Sequence, residues 1–505
     1  MELNSNIRTI LGGGGNLLKS QRIKFLKQIL KNYVRFYFGT PRFKVMIYII
    51  LSDKSKANKW RKRHKVNIAN LCNSKQCYDA FKRLYYQSKE WIDSQTFKTK
   101  YIDTSHPYPP LLNPDLIDYN SIPAELAWEF NLPLPQNYSF IFLATHGVGR
   151  AATGSYLQSC GVPYFNEFQS FCNNKERYKA FYELLCLHPN TYNIITFSEM
   201  RIEQEKLIYL LRKRPFLILI RDPISNLKTL LNYPQPNFAY KKQYWTLQDR
   251  DFQIFGRFLN RKCLDEKTLL EWIAWVLEPF CEDSIYKLMD DNKSVIIQTE
   301  DVRPQNAFET FTKLSTIFGF ESPKESNRQL FETNLVQGML DMSLPLVLKI
   351  YAHDLSDINI NKEWCAKLFV SNTICWNLSK DARTRDFIDI TKFLNLKQRA
   401  INGLCIKTKQ EHFAILQKDL SLIAKIKNHL EKMLESIYGQ NELYKKYFFT
   451  EQDILMFLKY APHCREKLKI HLDKCLVFFK QNHPNIVKSW KFYSAFKKIC
   501  ADNAD

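Results

Sequence analysis

The sequence predicts an α/β protein: a parallel sheet flanked by helices, with a basic helical region before it and a mostly helical domain after it. Three observations carry this. Between residues 138 and 345, short apolar runs alternate with amphipathic stretches, the signature of strand and helix in turn. Of the 14 glycines, four fall between 147 and 161, just after the first apolar run. Past residue 345, Phe413, Leu416, Leu420, Ile423, Ile426, Leu430, Met433 and Ile437 recur with a period near 3.6.

The 505 residues are 45% hydrophobic and 25% charged, which suits about two to four globular domains. With 36 Phe and 26 Tyr the chain is not disordered. No apolar run reaches the ~18 residues of a membrane span. Met1 leads into polar residues and then Gly12–Gly15, so no secretory signal is visible. The 13 cysteines are scattered without a CxxC, which argues against a zinc or disulfide framework and for a reducing cytosol.

Residues 1–102 read as the basic helical region. The first hundred residues hold 22 Lys and Arg against 5 Asp and Glu, in a chain whose net charge is +22. Ile23, Leu26, Leu30 and Tyr33 recur at helical spacing, with Lys24, Lys27, Lys31 and Arg35 opposite. Such a helix either lies on an anionic membrane or docks on a core with its charges solvated. Residues 20–65, which include Lys59 to Lys65, are the candidate membrane contact, and place the protein in the cytoplasm with a peripheral position at the inner membrane face as an option. Nucleic acid is a weaker partner, supported by charge without a recognition motif.

Residues 103–137 contain Pro107, Pro109, Pro110, Pro114, Pro123, Pro133 and Pro135, which exclude long helices and central strands, so the stretch reads as a connector. Residues 138–345 form the α/β domain. Its expected strands are Ser139–Ala144, Tyr192–Phe197, Pro215–Ile220 and Ser294–Gln298. The third is apolar throughout, as in a sheet covered on both faces. Helices are expected from Ser155 onward and over Ile202–Arg212, Leu269–Met289 and Ala307–Phe318. Ligands of such sheets sit at the carboxyl ends of the strands. Residues 346–505 read as a helical accessory domain, or as the part that completes an acceptor pocket or an oligomer interface.

The first strand runs through His146-Gly147-Val148-Gly149-Arg150 to Thr153-Gly154-Ser155-Tyr156. Strand, glycine turn and helix in that order make a phosphate cradle of the P-loop type, because backbone N–H groups and a helix N-terminus face the anion. Gly149 and Gly154 have GxxxxG spacing, but Ser155 stands where a Walker lysine would be, against an ordinary ATPase or kinase. A plain strand–helix turn is the competing reading. Arg221 ends the third strand and offers a planar fork to phosphate oxygens, and Thr229, eight residues on, can return its hydroxyl to the same anion. The competing reading is a structural pair of Arg221 with Asp222.

These segments resemble the sulfotransferase family that uses 3′-phosphoadenosine 5′-phosphosulfate. Thr153-Gly154-Ser155-Tyr156-Leu157 resembles the family's 5′-phosphosulfate loop. Arg221-Asp222-Pro223 with Thr229 is similar to its 3′-phosphate site. Trp272 and Trp275, Thr299-Glu300-Asp301-Val302 and Ile317-Phe318-Gly319-Phe320 look like elements that follow there. The resemblance covers about 139–320. More loosely, the whole chain resembles a poorly characterised group of epsilonproteobacterial proteins associated with surface glycans. Two departures stand out. Ala152 occupies a position where the family has a cation, leaving Arg150 for that role, and no His follows the second strand. For the base that takes the acceptor proton, Glu199 is the first choice, His146 the second and Glu167 the third. Glu199 also reads as a helix N-terminal residue, and His146 as a hydrogen-bonded strand-end side chain.

The resemblance implies an enzyme, a sulfotransferase that moves a sulfuryl group from the phosphosulfate co-substrate to a hydroxyl of a glycan or glycolipid, with no metal required. Gly149, Arg150, Thr153, Gly154, Ser155 and Tyr156 would hold the co-substrate, and Arg221 and Thr229 would select its 3′-phosphate. The alternatives are a P-loop nucleotide-binding phosphotransferase and a non-catalytic membrane-associated protein that keeps the fold.

Overall fold

The computed structural model describes residues 75–164, 173–197, 206–232, 244–252, 264–281, 283–290, 292–335, 344–356, 360–372, 387–397 and 404–502. The expectations for Gly12–Gly15, residues 20–65, Glu167 and Glu199 lie outside them. The chain divides into two compact units, Met1–Leu134 and Pro135–Asp505. No described helix is long and apolar enough to cross a membrane.

In the first unit, helix α1 (Lys75–Asp93) is followed by the proline-rich stretch and a short helix, α2 (Ala124–Glu129), which starts directly after Pro123. The prolines do keep long helices out, but up to Leu134 the stretch is packed rather than a loose connector. Leu111, Leu112, Ile122, Leu126 and Phe130 are buried. Carbonyls left outside any ladder find side-chain donors: Ser88 Oγ donates to Leu111, Trp91 Nε1 to Pro110 at 2.9 Å, and Asn131 Nδ2 to Pro109 at 3.0 Å.

The second unit has nine strands among its described residues: β1 (Ile141–Ala144), β2 (Ile195–Phe197), β3 (Phe216–Ile220), β4 (Tyr244–Thr246), β5 (Val295–Gln298), β6 (Leu346–Tyr351), β7 (Cys365–Asn372), β8 (Phe387–Asp389) and β9 (Leu404–Lys409). Its longer helices are α3 (Arg150–Ser159), α4 (Asn174–Leu187), α5 (Pro223–Leu231), α6 (Glu266–Ile273), α7 (Ala307–Phe318), α8 (Leu420–Lys445), α9 (Glu451–Tyr460), α10 (Pro462–Cys475) and α11 (Lys491–Ala501). Many begin on a side-chain cap. Asn173 accepts from Glu176 N–H, Asp265 from Thr268 N–H, and Thr450 with Asp453 forms a capping box.

The first sheet is parallel throughout, in the order β2-β1-β3-β5. All residues of β1, β2 and β3 are buried, as their unbroken apolar runs require of strands covered on both faces. The α/β expectation holds in this respect. The helix expected over Leu269–Met289 breaks, however. It ends at Ile273, Leu277 takes φ +55°, and a short 3₁₀ turn spans Glu278–Cys281. Pro279 and the restricted residue before it keep the helix from resuming through that turn.

The main addition concerns the last third, whose helices dominate from Gln410 onward but whose first part holds strands that the sequence reading did not mark. Residues 346–409 supply four of the five strands of a second sheet, ordered β4-β6-β7-β9-β8, parallel between β4 and β6 and antiparallel elsewhere. In β6, Leu346, Leu348 and Ile350 are buried while the residues between them are half-buried, the alternation of a one-sided strand. The buried face packs on α8 through Leu422, Ile426, Leu430, Met433 and Ile437. The 3.6 period was therefore real, but Asp419 interrupts it, capping α8 through Leu422 N–H and leaving Leu420 exposed.

After α8 the chain returns to the first sheet. Glu451 Oε1 accepts from Ser225 Oγ at 2.9 Å and pairs with Lys228 Nζ at 2.8 Å, while Trp490 Nε1 donates to Gln298 at 2.9 Å. Helices α9 to α11 thus belong to the layer that covers β3 and β5. Strands β6 to β9 and α8 are an insertion between α7 and that return, and β4, from before α6, joins their sheet.

Cys281, after α6, and Cys475, at the end of α10, form a disulfide. This departs from the expectation of reduced thiols throughout, and no local spacing announces it. Titrated in denaturant without reductant, the protein is expected to show two free thiols fewer than its 13 cysteines. A full count would mean the pair is reduced in solution.

Candidate phosphate-binding site

The turn between β1 and α3 is held by side chains from three other segments. Asn226 Nδ2 donates to His146 O at 2.6 Å, Arg221 Nη1 to Gly147 O at 3.0 Å, and Thr299 Oγ1 to Val148 O at 2.7 Å. Three successive carbonyls are committed to α5, the end of β3 and the end of β5. The N–H groups of Gly147, Val148, Gly149, Ala151 and Ala152 have no acceptor among the described residues. A run of uncommitted amides at the start of a ten-residue helix is a ready-made anion cradle.

Glycine is required at both positions of the turn. Gly147 has φ +77° and Gly149 φ +99°. A Cβ on Gly147 would meet Asn226 Nδ2 at 3.0 Å and Thr229 at 3.1 Å, so the turn lies tight against α5.

Arg221 and Thr229 come together as their spacing suggested. Arg221 Nη1 donates to Thr229 Oγ1 at 2.8 Å. One nitrogen therefore makes both protein contacts of the guanidinium, and Nε is buried with no partner among the described residues. Burial pulls the Arg221 guanidinium below its ordinary value, while Glu300 and Glu451 act in the opposite direction. It remains a cation at neutral pH.

Asp222 is not the partner of Arg221. Its Oδ1 accepts from Ile224 N–H at 2.9 Å and Ser225 N–H at 3.4 Å, capping α5. Its Oδ2 accepts from Phe492 N–H at 2.9 Å and Tyr493 N–H at 3.1 Å, at the start of α11. Burial pushes its carboxyl above the ordinary aspartate value, against the pull of these four N–H groups. Nearby, burial pushes Glu451 up, but Lys228 and Ser225 leave it below the usual glutamate value.

The cofactor residues read from the sequence separate into two groups. Gly149, Arg150, Arg221 and Thr229 lie at the turn, and His146 opens it. Thr153, Gly154, Ser155 and Tyr156 do not form a loop, because α3 already starts at Arg150. Thr153 N–H and Oγ1 both bond Gly149 O within the helix. Gly154 is there for packing: a Cβ would lie 2.3 Å from the Tyr164 ring. Tyr156 stacks on Phe331 at 4.7 Å between ring centroids, and burial pushes its phenol up to about 12. It is a core residue. Ser155 Oγ is buried without a partner among the described residues. The GxxxxG spacing is a coincidence of one turn glycine and one packing glycine. Asn226 and Thr299, which pin the turn, were not singled out as site residues. Polar side chains so placed carry no local signal of the carbonyl they will meet.

Two other features lie apart from the cradle. Cys281, His471 and Cys475 bring ligand atoms within 4.8 Å of one another, a possible metal set, but the two sulfurs are joined and His471 Nε2 lies 2.6 Å from Val276 O. A cleft of about 1030 Å³ is lined by Tyr447, Phe449, Met456, Phe457, Tyr460 and His463 and includes no residue of the turn.

A family model described as a protein of unknown function (DUF2972) matches residues 296–502. No curated protein and no solved structure matches the chain. The matched stretch begins inside β5, so it takes in β6 to β9 of the second sheet and the returning helices but not β4, the glycine turn or Arg221.

Proposed function

We propose that the protein is a sulfotransferase that moves a sulfuryl group from 3′-phosphoadenosine 5′-phosphosulfate to a hydroxyl of a glycan or glycolipid. The observation that carries this reading is the Arg221–Thr229 contact placed directly against the glycine turn, with Arg221 Nε left without a partner among the described residues. Two anion sites side by side suit a nucleotide with phosphates at both its 3′ and 5′ positions. The free amides of the turn would hold the 5′ group and Arg221 the 3′-phosphate. In transfer, the acceptor oxygen bonds to sulfur, the bond from sulfur to the bridging phosphate oxygen breaks, and the nucleoside bisphosphate leaves with that electron pair. The turn amides and Arg150 would stabilise the charge that develops there. The acceptor proton passes to a base, for which His146 stands at the turn and Glu199 remains the other candidate. Work at the inner membrane face, reached through the basic N-terminal residues, belongs to the same proposal.

The test is thermal stability with 3′,5′-adenosine bisphosphate, ATP and AMP, in wild type and Arg221→Ala. Ligand at 100 times its Kd stabilises by about 2.7 kcal/mol. Stabilisation by the bisphosphate alone, lost in Arg221→Ala, is the expected result. An equal ATP effect that survives the substitution would favour a nucleotide-binding phosphotransferase instead. Bisphosphate binding with no transfer to any glycan would favour the non-catalytic reading.

A further inference from the structure

The second sheet has one face packed on α8 and one face that carries lysines. Lys349 of β6 lies directly opposite Lys367 of β7. Lys407 of β9 lies opposite Phe369 of β7 and Asp389 of β8, and Lys409 lies opposite Phe387. Side chains on one face of neighbouring strands stand about 4.5–5.5 Å apart when directly opposite, and like charges so placed are destabilising.

The carboxylates on this face serve only its far side. Glu411 is 3.1 Å from Lys409, and Asp389 faces Lys407. Neither Lys349 nor Lys367 has a carboxylate within ion-pair distance among the described residues; the Lys349 ammonium stands 3.5 Å over the Tyr244 ring. Burial and the charges of Lys409 and Lys367 hold the adjacent His412 below its ordinary value, with Glu411 opposing them. Among the described residues no carboxylate balances Lys349 and Lys367.

We propose that this face, centred on Lys349 and Lys367, binds an acidic polysaccharide. Two observations select that class. The aromatic rings of the face are already engaged: Tyr244 by Lys349, Tyr351 stacked on His353 at 5.5 Å, and Phe369 edge-to-face with Phe387 at 5.3 Å. Among the described residues of the face each ring is thus already in a contact, whereas single-strand nucleic acid binding relies on rings open to the bases. The cations on these strands are lysines, and no arginine lies on β4, β6, β7, β8 or β9. Lysines are hydrated point charges suited to a polymer of spaced single charges rather than to bidentate phosphate recognition. The proposal stands independently of sulfuryl transfer.

The test is lysine footprinting on the full chain. The protein is acetylated with and without a heparin oligosaccharide, a neutral dextran or poly(U), and each lysine is scored by mass spectrometry. The oligosaccharide is expected to protect Lys349 and Lys367 and dextran is not. Binding by Lys349→Ser/Lys367→Ser is expected to weaken about 30-fold, at about fivefold per lysine, and Lys349→Arg/Lys367→Arg to retain it. The proposal is overturned if protection is confined to the basic first hundred residues, if dextran protects equally, or if poly(U) protects these two lysines better than the acidic glycan. Unchanged binding by the double Ser variant would also overturn it. Removing both of these opposed like charges relieves a repulsion and does not threaten the fold, and the Arg variant controls for it.

Discussion

Asp222→Ala is expected to destabilise the large unit by about 3–4 kcal/mol and to free α11 from the first sheet. The side chain accepts four backbone N–H groups, two at the start of α5 and two at the start of α11. Loss of a helix cap costs about 0.5–2 kcal/mol, and each buried donor left without a partner about 1–3 kcal/mol, partly offset where water enters. Asp222→Asn separates the two ends. Its amide oxygen can still cap one helix, but its NH₂ group would face two donors at the other. Asparagine should therefore recover no more than about half of the loss. Denaturant unfolding measures the size, and hydrogen exchange over residues 491–501 measures the release. An Asn variant as stable as wild type would show that Asp222 does not bridge the two helices.

Gly154→Ala is expected to destabilise by about 1–3 kcal/mol, the cost of overpacking, although alanine is the better helix former. The new methyl would meet the buried Tyr164 ring at 2.3 Å. Combined with Tyr164→Leu, the substitution should regain stability relative to Gly154→Ala alone and leave binding of 3′,5′-adenosine bisphosphate intact. If Gly154 instead belonged to the cradle, the double variant would refold but not bind. The pair of variants thus tests where the anion site begins.

The first sheet was legible because β1 and β3 are short, unbroken apolar runs buried on both faces, and β2 and β5 are short runs with one polar residue each. The second sheet was not. Its strands alternate Leu346, Leu348 and Ile350 with Lys349 and Tyr351, or span only three residues, and the longer 3.6 period of α8 dominated the reading of that region. The alternation was there to be counted. Arg221 and Thr229 could be paired from spacing alone because one strand end and the helix after it fix their separation. The role of Asp222 was not legible for the opposite reason. Its nearest charged neighbour in sequence is Arg221, but its acceptors are used by backbone groups 270 residues away, which have no sequence signature. Gly154 shows the limit of motif spacing: glycine is needed there by a ring that comes ten residues later and packs across the helix.

The return of α9 and α11 to the first sheet has a temporal consequence. The ribosome delivers Arg221 and the glycine turn long before Phe492, whose N–H completes the clamp on Asp222. At roughly 5–20 residues per second, the 270-residue gap is a wait of roughly 15–50 s. During that interval the turn can form, but α5 lacks its covering helices, and the second sheet must fold in the meantime without blocking their approach. A nascent chain is thus held short of its finished anion site until Phe492 has been made.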